Sequence, residues 1–254
     1  MASNTPQPER LTRGKSPEKR APGRPLPLAE QAYDRIEELI ITCALKPGQS
    51  LSINDLQNVV QLGRTPIHQA VSRLAADTLI IIRPRHGLRI APIDLTREKT
   101  LLLLRRDMER FVVRLAAERS GPTHRNQLLH IARLLSERGA AMDIATFNRL
   151  DRRIDQLLAA ATGEAFLENT LRPLHTIFRR IGWVYHNWAA PSGGLSQTVD
   201  SHLAMIQAVA DRDAERAVAA SDQLMGFMDS MFSIIEREID PALLDCTLET
   251  QLAS

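Results

Sequence analysis

The strongest constraint on the fold of this chain is the order of helix and strand signals over residues 28–93. A first segment carries apolar residues at helical spacing, and Lys46-Pro47-Gly48 ends it, because proline cannot continue a helix and glycine accepts a left-handed cap. Ser52 then caps a short second helix, and Thr65-Pro66 opens a third. Two β-type runs joined by Arg85-His86-Gly87 follow. This order predicts a winged helix–turn–helix.

The rest of the chain shows helical patterns alone. Asp94-Leu95-Thr96 is the predicted linker, and glycine and proline positions separate the helices that follow. The predicted helices span 96–120, 123–138, 143–162, 164–188, 195–211 and 213–238. The predicted organisation is an N-terminal arm (1–27), a winged domain (28–93), a helical domain (94–240) and a C-terminal tail (241–254). The fold class is therefore mainly α, an N-terminal winged helix–turn–helix followed by an all-helical bundle.

Composition excludes several other classes of protein. With 254 residues and 44% hydrophobic residues, the chain can bury a real core. Cys43 and Cys246 lie far apart, so the sequence offers neither a disulfide scaffold nor a cysteine zinc finger. The apolar runs fall far short of the roughly 20 residues of a membrane span, and the N-terminus is polar. We expect a soluble cytoplasmic protein with no membrane partner.

Enzymatic activity is not expected either. The sequence shows no nucleophile with an adjacent base, no phosphate-binding loop and no HExxH motif. A metal-assisted hydrolase built on Asp151, Asp155 and His202 is the only enzymatic alternative that the side chains suggest. We therefore predict a protein that is not an enzyme.

Positive charge is concentrated at the N-terminal end of the chain. Residues 1–27 carry six basic and two acidic residues among prolines, serines and glycines, which predicts a flexible basic arm. Residues 63–93 carry five arginines against one acidic residue. Such a field favours DNA, although charge alone leaves a protein-binding winged helix open. The candidate DNA-binding residues are Arg64, Thr65, His68, Gln69, Ser72, Arg73, Arg85, His86 and Gly87.

Three motifs in this region resemble the GntR family of bacterial transcriptional regulators. They are Leu45-Lys46-Pro47-Gly48, the run from Gly63 to Leu74, and Arg85-His86-Gly87. The resemblance implies that Arg64 and His68 contact DNA, that the wing tip near Gly87 enters the minor groove, and that a homodimer binds a palindromic operator. Gly63 stands where serine is usual, and His68-Gln69 replace the common Arg-Glu pair. These departures should alter base preference more than they abolish binding.

The helical remainder resembles the FCD subgroup of that family, whose C-terminal domain senses effectors. The motifs lie in Leu104–Glu109 with Arg114–Ala117, in Asp151–Glu164, and in His202–Val209 with Asp213-Ala214. Many FCD domains bind a metal through one aspartate and three histidines. Asp151 and His202 match two of these ligands, whereas Asp155 replaces the first histidine and Leu224 the last.

The resemblance leaves three alternatives for the metal. The first is a pocket that holds no metal. The second is a weakened site for Zn, Ni or Mn on Asp151, Asp155 and His202, completed by water or effector. The third recruits His175 or His186 as a replacement ligand.

Effectors in this subgroup are mostly small carboxylates. Without a metal, cations must hold the acid, and an arginine side chain can bind a carboxylate with two hydrogen bonds. The candidate effector-binding residues are Arg105, Asp151, Asp155, Arg179 and His202. We therefore expect a DNA-binding regulator, a repressor by the family's commoner mode, controlled by a small organic acid. The alternative is a regulator or architectural DNA-binding protein with a degenerate pocket and no effector.

Overall fold

The computed structural model describes residues 26–191 and 194–248, and most of the predicted basic arm lies outside them. The N-terminal domain is a winged helix–turn–helix, as predicted. Its helices are α1 (Leu28–Ile41), α2 (Ile53–Val60) and α3 (Arg64–Ala76), and its strands are β1 (Ser50–Leu51), β2 (Ile80–Arg83) and β3 (Gly87–Ile90). The strands form an antiparallel sheet in the order β1–β3–β2, with Arg83 opposite Gly87 at the wing.

Local sequence accounts for the short elements of this domain. Ser52 and Asp55 form a capping box at α2, in which the Ser52 amide donates to the Asp55 carboxylate at 2.7 Å and the Asp55 amide donates to the Ser52 hydroxyl at 3.2 Å. Gly87 has φ +81°, and a Cβ there would lie 2.8 Å from the carbonyl oxygen of Leu51. Glycine is therefore required where β3 passes β1. The two-residue strand β1 is too short to leave a pattern in the sequence.

The core of the domain lies between α1, α3 and the sheet. The inner face of α3 is buried, and so is the facing side of α1. Buried residues on these two faces are Ala32, Tyr33, Ile36, Ile40, Ile67, Ala70, Val71 and Leu74. This packing leaves the opposite side of α3 free.

The helical domain contains the six predicted helices. They are α4 (Leu95–Arg119), α5 (Pro122–Arg138), α6 (Ile144–Thr162), α7 (Ala165–Val184), α8 (Ser196–Ala210) and α9 (Ala214–Glu238). Helix α4 packs against α9, α6, α8 and α7, so it lies at the centre of the bundle. The helix predicted over 164–188 ends at Val184 and continues as a π-helical turn over Tyr185–Ala189.

The predicted linker is absent from this part of the structure. Asp94 caps α4 by accepting from the amide of Arg97 at 3.0 Å, so the helix begins directly after the winged domain. Because Leu95 and Thr96 already belong to α4, only residues 91–94 lie between β3 and the first helix of the second domain.

The segment predicted as a C-terminal tail contacts the winged domain as far as Thr247. It contains a short helix, α10 (Pro241–Leu244). The Arg89 Nη2 atom donates to the Asp245 carboxylate at 2.7 Å, and the Cys246 amide donates to the Pro47 carbonyl at 2.9 Å. The amide of Ile93 donates to the Leu244 carbonyl at 2.8 Å. These bonds hold the end of the helical domain against the sheet.

Among the helices of the described residues, none is both long enough and apolar enough to span a membrane.

Candidate DNA-binding face and sensor cavity

The exposed side of α3 carries most of the residues predicted to bind DNA. Helical spacing places two rows on this side, one with Arg64 and His68 and one with Thr65, Gln69 and Ser72, and all five are exposed. The Nε atom of Arg64 lies 3.4 Å from the Nε2 atom of His68. The first turn of α3 therefore presents a basic and a polar row away from the domain core.

Arg73 differs from the other predicted contacts. Its guanidinium pairs with Glu30 at 2.5 Å and lies 4.3 Å from the centre of the Tyr33 ring. The Tyr33 hydroxyl in turn donates to Asp77 at 2.7 Å. Arg73 thus joins α3 to α1, and because 46% of its side chain remains exposed, it stays a predicted DNA contact.

The wing presents the remaining candidates at its tip. Arg85, His86 and Gly87 are exposed, and Arg85 adopts a left-handed conformation with φ +66°. The amide of His86 donates to the Arg83 carbonyl at 3.0 Å, which closes the turn. Arg89, the most C-terminal arginine of this basic region, is instead engaged by Asp245.

A cavity of about 40 Å³ lies between helices of the bundle. Four of the five predicted effector-binding residues line it, namely Arg105, Asp151, Arg179 and His202. Its apolar wall is formed by Phe147, Phe178, Leu224, Phe227, Met228 and Met231. Asp155 lies on the far side of Arg179, where it lines a second, smaller space with His175 and Arg172. Sequence reasoning missed Asn148, although it precedes Asp151 by three residues and therefore shares its helix face.

Asp151 is the centre of a buried ion network. Its Oδ1 atom lies 2.9 Å from His202 Nε2, and its Oδ2 atom accepts from Arg179 Nε at 2.7 Å. His202 Nδ1 lies 2.7 Å from the Thr198 carbonyl oxygen. Both ring nitrogens therefore face acceptors, which favours the imidazolium form.

The structure shifts the pKa values of Asp151 and His202 in opposite directions. Burial acts to raise the pKa of Asp151, but the Arg179 charge and the His202 hydrogen bond hold it well below its usual range. Burial acts to lower the pKa of His202, but the Asp151 carboxylate raises it above its ordinary value. The network thus favours a carboxylate next to an imidazolium.

His175 extends the network to a second pair of carboxylates. Its Nε2 atom lies 2.8 Å from Glu109 and its Nδ1 atom 3.1 Å from Asp155. Arg105 Nε donates to Glu109 at 3.0 Å, and Arg179 Nη2 donates to Asp155. The residues of this network come from α4, α6, α7 and α8.

Burial and neighbouring charges shift the pKa values of Glu109 and Asp155 in opposite directions. Burial acts to raise the pKa of Glu109, but His175 and Arg105 bring it down to about 2. Burial raises the pKa of Asp155 to about 6, and the nearby Asp151 charge adds to the increase although His175 opposes it.

The predicted metal ligands come together only in part. Asp151 and His202 are in direct contact, and Leu224 lines the same cavity without offering a ligand atom. Asp151 and Asp155 share Arg179 as their cationic partner. Because a guanidinium already compensates both carboxylates, the donor set in this arrangement does not fit a divalent ion.

The contact between the two domains is also built from ion pairs. Arg172 of α7 donates to three acidic residues of α1, Glu30 at 2.8 Å, Asp34 at 2.6 Å and Glu37 at 2.9 Å. Arg172 also lies 4.0 Å from the centre of the Tyr33 ring.

Glu37 is the most buried acid of this contact, with 1% of its surface exposed. Arg152 adds a second ion pair to it at 3.1 Å, and the Thr176 hydroxyl donates to it at 2.6 Å. Burial acts to raise the pKa of Glu37, but Arg172 and Arg152 hold it below its usual value.

Comparison with known proteins agrees with both halves of this architecture. The family model "Bacterial regulatory proteins, gntR family" matches residues 28–90, and the model "FCD domain" matches residues 100–227. The HTH-type transcriptional repressor RspR of Escherichia coli K12 is 26% identical over 200 residues, 78% of this chain and 85% of that protein. The HTH-type transcriptional regulator BphR of Paraburkholderia xenovorans LB400 is 24% identical over 217 residues, 83% of this chain and 86% of that protein.

Solved structures show the same fold. The structure of E. coli McbR/YncC has a TM-score of 0.71 at 16% sequence identity, and the match covers 82% of this chain and 98% of that one. A GntR regulator from Rhodococcus sp. RHA1 has a TM-score of 0.57 at 18% identity with the same coverage. The chain therefore belongs to the GntR family of bacterial regulatory proteins, in the group with an FCD domain, and is a DNA-binding transcriptional regulator.

Proposed function

We propose that this protein is a homodimeric repressor whose affinity for a palindromic operator is controlled by a small organic acid in the FCD cavity. The observation that carries this proposal is the position of α7. His175 and Arg179 of α7 belong to the buried network at the cavity, whereas Arg172 and Thr176 of the same helix hold α1 of the DNA-binding domain. The name of the relative RspR supports repression rather than activation.

The first turns of α3 are the proposed contacts with the major groove. A groove about 12 Å wide admits one helix, whose N-terminal residues contact base edges. Arg64, His68 and Gln69 suit bases, since their side chains offer donors and acceptors on the exposed face. Thr65 and Ser72 suit phosphates. Arg85, His86 and Gly87 at the wing tip are the proposed contacts with the minor groove.

Replacement of Arg64 by alanine tests this interface. We expect Arg64→Ala to lose about 1–3 kcal/mol of specific binding, because a bidentate contact with guanine contributes that much. The measurement is fluorescence anisotropy on an operator that the wild-type protein selects from a random DNA library. Arg133→Ala, an exposed arginine of α5, is the matched control. Unchanged operator affinity of Arg64→Ala would refute the assignment.

The proposed dimer contact is an exposed apolar face on α4. Leu103, Leu104 and Phe111 are each more than half exposed, and helical spacing puts them on one side of the helix. Such a patch favours a protein partner, and a second copy of this chain satisfies the two-fold symmetry of a palindrome.

The effector is proposed to contact Arg105 in the cavity. Arg105 is buried, its Nε atom donates to Glu109, and the Met228 sulfur, at 3.3 Å, is the only hydrogen-bond acceptor of its Nη1 atom among the described residues. Asn148 Nδ2 has no hydrogen-bond partner in the described part of the chain. These two donors line one cavity and suit a carboxylate, and the cavity has to enlarge beyond its volume of about 40 Å³ for the apolar body of the acid to pack on Phe147 and Phe178.

The proposed mechanism is a population shift. An acid that binds Arg105 changes the balance of charge among the carboxylates on α4 and α6, which also contact α7. Since α7 holds α1 through Arg172, a different arrangement of α7 changes the placement of the winged domain. The effector then favours the placement of the winged domain to which it binds more tightly, by the difference between its affinities for the two placements.

The test measures operator affinity and thermal midpoint together. A panel of small mono- and dicarboxylic acids is added to the full-length protein, since a ligand that binds only the native state raises its midpoint. We expect one class of acid to raise the midpoint and lower operator affinity, and Asn148→Ala to weaken both responses. No response to any acid would contradict effector control.

A DNA-binding protein without an effector is the second candidate. The size of the cavity favours it, since about 40 Å³ has room for only a few water molecules. Unchanged operator affinity across the whole acid panel would support this candidate.

A further inference from the structure

We propose that the guanidinium of Arg179 takes the place of the metal ion in this FCD domain, so that the core of the domain is held by an internal cation and binds no divalent metal. This inference does not depend on whether the cavity accepts an effector, because metal content is a property of the protein alone.

The contacts of Asp151 are the first support. Each of its carboxylate oxygens already has a charged or polar partner, Oδ1 with His202 at 2.9 Å and Oδ2 with Arg179 at 2.7 Å. Arg179 is itself buried, with 8% of its surface exposed. A metal ion that bound Asp151 and His202 would have to separate this pair and approach a buried guanidinium of the same sign.

The second predicted carboxylate is engaged in the same way. Arg179 Nη2 donates to Asp155, so one guanidinium bridges the two acids that lie one turn apart on α6. Such a planar fork can satisfy both carboxylates at once.

A second group of possible metal ligands lies next to Asp151 and is also engaged by arginines. Glu109, Asp155 and His175 can each bring one ligand atom within 4.8 Å of the others. However, Glu109 accepts from Arg105 at 3.0 Å, and Asp155 accepts from Arg179. Each carboxylate of this set is therefore already paired with an arginine.

The fourth ligand position supports the same conclusion. Leu224 is buried at the cavity, and its side chain offers no donor atom. Asp222, two residues earlier on α9, is bonded to Arg110 at 2.7 Å on the outer side of the helix. It is therefore not positioned to replace the missing ligand.

The replacement has a consequence for regulation. A metal ion can be removed by chelation, whereas Arg179 is part of α7, the helix that holds the DNA-binding domain through Arg172. The charge that organises the core is then always present, and the state of the domain does not follow the supply of metal.

The decisive experiment measures metal in untagged full-length protein. We expect mass spectrometry to find far less than one equivalent of zinc, nickel or manganese per chain, and EDTA to leave the thermal midpoint unchanged. About one equivalent of tightly held metal, or a midpoint lowered by EDTA, would overturn the proposal.

Two variants test the role of the guanidinium directly. In Arg179→Ala the carboxylates of Asp151 and Asp155 lose their cation, so we expect added zinc to raise the midpoint of this variant. Arg179→Lys keeps a positive charge, and zinc should leave its midpoint unchanged, as in the wild type. Arg153→Ala, an exposed arginine of the same bundle, is the control for loss of charge.

The comparison between variants excludes a general effect of zinc. A zinc response in the wild type equal to that of Arg179→Ala would show that the guanidinium does not exclude the ion, and would overturn the proposal. If Arg179→Ala does not fold, the metal content of the wild type and the zinc response of Arg179→Lys still decide it.

Discussion

Arg172 and Glu37 offer a quantitative test of how firmly the two domains are joined. Arg172 is the residue of α7 that bonds to three acids of α1, and Glu37 is the most deeply buried of them. We consider Arg172→Met, which keeps the apolar part of the side chain, Glu37→Gln, and the double variant. Arg172→Met removes one of the two cations that pair with the buried Glu37, Glu37→Gln leaves Arg172 with Glu30 and Asp34, and the double variant removes both charges.

The expected magnitude follows from the burial of the pair. Removal of one partner of a buried ion pair costs about 3–5 kcal/mol, whereas replacement of both partners is much closer to neutral. Arg152 at 3.1 Å and Thr176 at 2.6 Å remain with Glu37, so we expect the lower end, about 3 kcal/mol, for Arg172→Met. At about 2–4 °C per kcal/mol this lowers the midpoint by roughly 6–12 °C.

The pH dependence has a definite sign. The pKa of Glu37 is lowered in the fold, so its contribution to the free energy of unfolding is present above its ordinary value and is lost as the pH falls through the folded value. The difference in stability between wild type and Arg172→Met should therefore be full at neutral pH and shrink in acid.

Two probes of urea unfolding measure the effect. The chain has two tryptophans, Trp183 and Trp188, both in the helical domain, so their fluorescence follows that domain while circular dichroism follows all helices. We expect coincident transitions in the wild type and separated ones in Arg172→Met. A cost below about 1 kcal/mol, or a double variant whose loss equals the sum of the single losses, would refute the reasoning.

Two further predictions concern single side chains. Glu98 is buried in the first turn of α4, its Oε2 atom has no partner among the described residues, and burial raises its pKa to about 8. The folded state thus keeps a proton that the unfolded state releases between pH 4.5 and 8, so the stability of the wild type falls as the pH rises across this window. Because a glutamine at this position would not titrate, we expect Glu98→Gln to gain up to several kcal/mol over the wild type across the same window. Urea titrations at several pH values measure this difference. Phe111→Glu should convert the proposed dimer to a monomer in size-exclusion chromatography with light scattering, whereas Phe166→Glu, at an even more exposed position on α7, should not. A stability difference between Glu98→Gln and the wild type that does not change with pH would contradict the first prediction, and an unchanged molecular mass of Phe111→Glu would contradict the second.

Features that depend on neighbouring residues were predictable from the sequence. Ser52 with Asp55 starts α2, so the winged helix–turn–helix and the exposed side of its third helix follow from local signals. Two boundaries differ from the prediction: α1 ends at Ile41, before Lys46-Pro47-Gly48, and α3 begins at Arg64 after Gly63 rather than with a cap at Thr65. The six helices of the second domain follow from apolar spacing in the same way. The family resemblance also follows, because its motifs lie within these local segments.

Only the tertiary structure determined which charged side chains form ion pairs. Arg73 belongs to the DNA-binding surface predicted from the sequence, and only the packing of α3 on α1 shows that it also pairs with Glu30. Arg179 is a predicted effector-binding residue, and only the packing of α6 against α7 shows that it also lies between Asp151 and Asp155. The physical reason is that helix caps and apolar periodicity act over a few residues, whereas an ion pair depends on how helices distant in sequence pack together and on how much water their contact excludes.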